Sequence, residues 1–182
     1  MCRTGTLPSP LAADMTLTVL PTLIKLFSDT TPISSFSNPV PPDLIHNLSS
    51  QSTVCERAHL VFATLVSDSE DLQRAAMQID AVTKLSTVLT STSLGKENDR
   101  IKESALLGIA AVCSLREECR KQVIDAKILP IVVESMQSSD VGVRAAACMC
   151  TRSLSRSVKN LRTSLVDAGV ALPLFKVNFF FF

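Results

Sequence analysis

The chain has 182 residues, of which 46% are hydrophobic and only 4% aromatic, with five Gly, no Trp and a formal net charge of +1. The core must therefore be aliphatic, the scarcity of Gly argues against a turn-rich β sandwich, and interspersed charges leave no concentrated basic field for nucleic acid. No run approaches the roughly 18 apolar residues of a membrane span. The opening Met1-Cys2-Arg3-Thr4-Gly5-Thr6-Leu7-Pro8 lacks the apolar stretch of a signal peptide, so a cytoplasmic and nuclear location is expected, with all six Cys reduced.

In chain order, residues 1–11 are predicted to be disordered. Residues 12–27 read as the last helix of a partial repeat, with Pro21 at the head of its apolar run. Residues 28–53, rich in Ser and Pro, read as a loop with a short helix near Asp43 to Leu48. From Val54 onward the chain repeats itself. Shifted by 42 residues, Ile101 falls on Val143, Ala105 on Ala147, Val112 on Leu154, Val123 on Leu165 and Asp125-Ala126 on Asp167-Ala168. Shifted by 47, Val54, Ala58, Leu65, Leu72, Ala76 and Leu85 enter the same columns. A period in the forties belongs to the armadillo/HEAT class. The expected fold is an all-α, right-handed helical solenoid of about three repeats plus the partial one, with copies at 54–95, 96–139 and 140–177.

Within each copy the apolar residues fall on one helical stripe: Val54-Ala58-Val61-Leu65, Ile101-Ala105-Gly108-Val112 and Val143-Ala147-Cys150-Leu154. The shared Ala marks a close helix approach. The polar stretch Ser91 to Asp99 is expected to loop out and lengthen the first spacing. Pro130 and Pro173 suit the first turns of later helices. The last helix of each repeat is expected to line the concave face of the solenoid, which makes Lys84, Glu134 and Gln137 candidate partner contacts.

Past Val177 the pattern stops, and 178–182 is an anomalous tail of Asn and four Phe. A solenoid normally closes on a polar cap. The tail therefore reads as translated intron at the end of a truncated chain, and about three repeats alone are expected to be only marginally stable.

Reactive chemistry is sparse. Cys148 and Cys150 lie two apart, on opposite sides of a helix, and neither they nor Cys113 and Cys119 have a His at ligand spacing, so buried thiols are expected rather than a metal site. His46 and His59 lack the context of a catalytic base, with His59 read as packed or half-exposed. Leu94-Gly95-Lys96 is a lone Gly-Lys, not a phosphate loop. No catalytic residue, cofactor, metal or small-molecule substrate is expected. Arg152 and Arg156, at i and i+4, are followed by Lys159 and Arg162. They suit either an acidic partner or a solvated outer face, the second being favoured.

The stretch Val143-Arg144-Ala145-Ala146, Ser153-Leu154-Ser155-Arg156-Ser157-Val158, Leu161-Arg162-Thr163-Ser164, Pro173-Leu174 and Lys176-Val177 resembles the armadillo repeat-containing protein 8 family. Leu72-Gln73-Arg74 and Pro21 to Phe27 resemble upstream repeats of that family. The resemblance implies a non-catalytic scaffold of the GID/CTLH ubiquitin ligase complex. Such a scaffold links a substrate receptor to the catalytic subunits in proteasome-dependent degradation, with other protein subunits as partners. The alternatives are an armadillo cargo carrier, disfavoured because Trp is absent from the chain, and a truncated product without function.

Overall fold

The computed structural model describes residues 15–33, 53–91, 96–156 and 159–179. The predicted short helix at Asp43 to Leu48 and the N-terminal 1–11 lie outside these residues. The described N-terminal segment passes through a π turn at Met15–Val19, α1 at Leu20–Lys25 and a 3-10 turn at Leu26–Ser28. Nine helices follow among the described residues: α2 (Val54–Val66), α3 (Glu70–Gln78), α4 (Ala81–Ser91), α5 (Lys96–Val112), α6 (Glu117–Asp125), α7 (Leu129–Ser135), α8 (Val141–Ser155), α9 (Lys159–Asp167) and α10 (Ala171–Phe179). They form three units of one long and two shorter helices, and the molecule is an all-α armadillo-type solenoid.

Local chemistry sets the helix ends. The side chains of Thr53, Ser69 and Asp140 accept from the backbone N–H of Glu56, Leu72 and Val143 and so cap α2, α3 and α8. Pro21 and Pro130 stand in the first turns of α1 and α7, where a missing N–H leaves no bond unmade. Pro173 is the third residue of α10, by the same logic. The turn between the second and third helix of each unit passes through one left-handed residue, Asp80 (φ 59°), Lys127 (φ 56°) and Gly169 (φ 78°). These three occupy one column of the repeat.

The heaviest packing between units runs through the long helices α2, α5 and α8. Ala58, Ala105 and Ala147 are buried there, as the close approach requires. The stripes of the second and third copies are the buried ones, although Ile101 is only half-buried. The first copy differs: Val61 is 47% exposed, and Phe62 and Val66 take the buried places. The counterpart of Val61 is Gly108, where an added Cβ would meet Leu85 at 3.2 Å and Phe62 at 3.7 Å, on the preceding unit. The predicted loop at Ser91 to Asp99 is also shorter than expected, because α5 begins at Lys96. Asp99 stands in its first turn, where a carboxylate favours the positive end of a helix.

Candidate functional site

Among the described residues, a cluster of polar side chains lies at the seam between the first two units. Gln73, on α3, is fully buried. Its amide nitrogen lies 2.9 Å from the Val66 carbonyl, 3.1 Å from that of Ala111 and 2.7 Å from Ser114 Oγ. Its amide oxygen accepts from the N–H groups of Leu115 and Arg116, each at 3.2 Å. Carbonyls at the ends of α2 and α5, which also accept from the N–H groups of Ser69 and Ser114, and two donors of the following turn thus converge on one residue. Arg116 adds ion pairs to Glu70 of the preceding unit at 3.7 Å and to Glu118 at 3.3 Å.

Two columns repeat this logic. Gln73 corresponds to Arg120, whose guanidinium donates to the Cys113 carbonyl at 2.8 Å, again seven residues back, and pairs with Glu117 at 3.1 Å. The next member of that column is Arg162. Ser67, Ser114 and Arg156 form the second column. Ser114 donates to the Ser67 carbonyl at 2.7 Å, and Arg156 donates to the Ser114 carbonyl at 3.1 Å.

Of the predicted contact residues, Lys84 lies exposed on α4, Glu134 exposed on α7 and Gln137 exposed in the turn after it. Arg152 and Arg156 are exposed on and just after α8, and Arg156 is engaged as above. Lys159 and Arg162 lie on the backbone of α9, and their side chains are outside the described residues. The structure does not gather these seven into one site. The role of Gln73 was missed from sequence. The available signal was a polar column, Gln73-Arg120-Arg162, standing among apolar ones.

Of the two readings of His59, packed or half-exposed, the structure shows the packed one. It is fully buried, edge-on to Phe27 with ring centroids 4.7 Å apart, and its Nδ1 is 3.0 Å from Ser104 Oγ. Burial lowers its pKa to about 4, against an opposing backbone interaction at Phe27. The thiols share this dry interior. Burial pushes Cys150 up to about 12 and raises Cys113 and Cys119. Metal binding needs thiolates, which these surroundings oppose, and no group of three metal-ligating side chains occurs among the described residues.

Apolar surface is concentrated on the last unit, where Val166 (68%), Leu172 (65%), Leu174 (40%) and Phe175 (72%) are exposed. The column mates of Leu174, Leu85 and Val132, are fully buried. No described helix is long and apolar enough to cross a membrane.

No family model matches the chain. GID complex subunit 5 of Schizosaccharomyces pombe (strain 972 / ATCC 24843) is 44% identical over 82 residues, 45% of this chain and 10% of that protein. Armadillo repeat-containing protein 8 of Xenopus laevis is 37% identical over 94 residues, covering 50% of this chain and 13% of that protein. The mouse (Mus musculus) protein of that name is 37% identical over 83 residues, covering 45% and 12%. The chain thus matches only 10–13% of the length of these curated relatives. Among solved structures, a designed armadillo repeat protein superposes with TM-score 0.65 at 16% identity, over 86% of this chain and 56% of its own. The armadillo repeats only protein of Plasmodium falciparum does so with TM-score 0.65 at 16% identity, over 93% and 67%. The structural likenesses bear out the armadillo fold, and the sequence similarities bear out the resemblance to armadillo repeat-containing protein 8.

Proposed function

We propose that this chain serves as a non-catalytic, protein-binding scaffold in a GID/CTLH-type ubiquitin ligase complex, acting in the cytoplasm and nucleus. The observation that carries the reading is the 44% identity over 82 residues to GID complex subunit 5. In this reading the other ligase subunits are the partners, and the chain helps hold a substrate receptor near the catalytic subunits for proteasome-dependent degradation. The exposed apolar side chains Val166, Leu172, Leu174 and Phe175 of the last unit support protein association, because exposed apolar surface beyond the ordinary scatter marks a contact surface. Tagging the full chain in its native cells, pulling it down and identifying partners by mass spectrometry tests the proposal. Recovery of RING and CTLH-type subunits is the expected result; recovery of chaperones alone would overturn it.

A further inference from the structure

One face of α8 is open along its length. Val141, Ala145, Met149, Arg152 and Arg156 are exposed there, with Cys148 half-buried among them. Successive members stand three or four residues apart, so they share one stripe of the helix. The repeat shows which face this is. In α5 the same columns hold Glu103, Leu106, Leu107 and Ala110. There they are covered: Glu103 lies against Gly142 of α8, and Leu106 and Ala110 are buried. Leu174 of α10 has Leu85 as its column mate, which packs on α5 at Gly108. The third unit therefore turns outward, on α8 and α10, the face that the earlier units turn to a neighbour.

The charges on this face are divided. Its apolar middle, Ala145, Cys148 and Met149, is flanked at the N-terminal end of α8 by Asp140 and Glu103 and at the C-terminal end by Arg152 and Arg156. At the acidic end, burial, Asp140 and Glu56 raise the Glu103 pKa, and Arg100 opposes them only in part. Arg144 beside it is taken up by the carbonyls of Ser138 and Ser139. At the basic end, Arg152 forms no ion pair with a described residue. Arg156 gives one donor to the Ser114 carbonyl, and a guanidinium has five. Such a face complements itself when turned end for end.

We propose that this face pairs with the same face of a second copy of the chain, the two α8 helices running antiparallel about a two-fold axis near Cys148 and Met149. In an isologous contact residue i meets j, and j meets i. Alignment about that point sets Arg152 opposite Ala145 and Arg156 opposite Val141 of the other copy, so both arginines arrive at its acidic end. Ala145 is small enough for the helices to approach closely, and the exposed Leu174 and Phe175 widen the apolar contact. The pairing does not depend on the ligase reading, and the purified chain suffices to test it.

Sedimentation velocity of the full chain over a concentration series is expected to show monomer giving way to dimer and to nothing larger, because an isologous contact closes at two. In a Cys2→Ser background, a short bis-maleimide should link two copies through Cys148, since the axes of packed helices lie about 8–10 Å apart and the other described thiols are buried. Cys148→Ser should abolish that link. Arg152→Glu sets like charges together at both symmetric contacts and should weaken association by about tenfold or more, with helicity unchanged in circular dichroism; Arg152→Lys should stay within a few-fold of wild type. A chain that is monomeric at every concentration overturns the inference, as do growth past the dimer, a dimer not linked through Cys148, or an Arg152→Glu variant that associates like wild type. The cross-link needs no charge substitution on the face, so it stands whatever the stability of the Arg152→Glu variant.

Discussion

Arg156 donates to the main-chain carbonyl of Ser114 at 3.1 Å, and Ser114, its counterpart one unit earlier, donates to the carbonyl of Ser67 at 2.7 Å. Side chains of different chemistry thus make the same bond from the same column. The seam is specified by where a carbonyl is orphaned at the end of a long helix, and any donor of suitable reach can meet it. The exposed Arg156 is in this respect a structural residue, whatever else it contacts.

Gln73 should be the most sensitive polar position. Gln73→Leu strips partners from carbonyls on α2 and α5 and from two turn N–H groups, in a buried place. Urea unfolding followed by circular dichroism is expected to show a loss of about 3 kcal/mol. Arg156→Ala, which removes one exposed bond, should lose less than about 1 kcal/mol.

The left-handed column makes a prediction of opposite sign at its two kinds of residue. Asp80 and Lys127 hold φ near +60° with a Cβ, whereas Gly169 holds its φ without one. Asp80→Gly and Lys127→Gly should each raise stability by up to about 1 kcal/mol, and Gly169→Ala should lower it by about 1 kcal/mol. Thermal melts of the three variants check this. A fall in melting temperature for both glycine variants would show that the αL strain is already relieved elsewhere.

Acid should destabilise the fold through His59. Its folded pKa of about 4 lies below the ordinary 6.5, so the unfolded chain takes up the proton first. The stability it contributes is complete above pH 6.5 and is lost as pH falls toward 4, by about 3 kcal/mol in all. Glu103, raised by burial and by the nearby Asp140 and Glu56, acts in the opposite direction. The informative measurement is therefore the difference between wild type and His59→Phe. Parallel stability curves between pH 6.5 and 4 would contradict the assignment.

Leu174→Glu should leave the melting temperature within about 1 °C, because the side chain is 40% exposed where its column mates are buried. The same change is expected to reduce association of the chain at high concentration, read by sedimentation velocity. A large drop in melting temperature would mean that Leu174 is part of the folded core after all.

The long helices were legible because their apolar residues recur at helical spacing and at a fixed chain offset. Ala105 and Ala147 are buried where the pattern put them. Val61 was misread, since periodicity reports which stripe is apolar but not whether a neighbouring unit covers it. The hydroxyl stripe Thr83, Ser86, Thr87 and Thr90 was present in the sequence, yet it faces Gln122 and Asp125 from more than thirty residues away, a pairing that chain order does not reveal.

What the sequence determined by itself is what repetition and local chemistry determine: the helical period, the unit length, the prolines and caps that start the helices, and the aliphatic core. Only the tertiary structure decided that Gln73 reaches across to Ser114, that Phe27 from the preceding segment closes over His59, and that one apolar column, buried at Leu85 and Val132, is exposed at Leu174. The physical reason is the same in each case. Periodicity is a property of one helix, whereas burial and hydrogen-bond satisfaction are settled by which second helix arrives beside it.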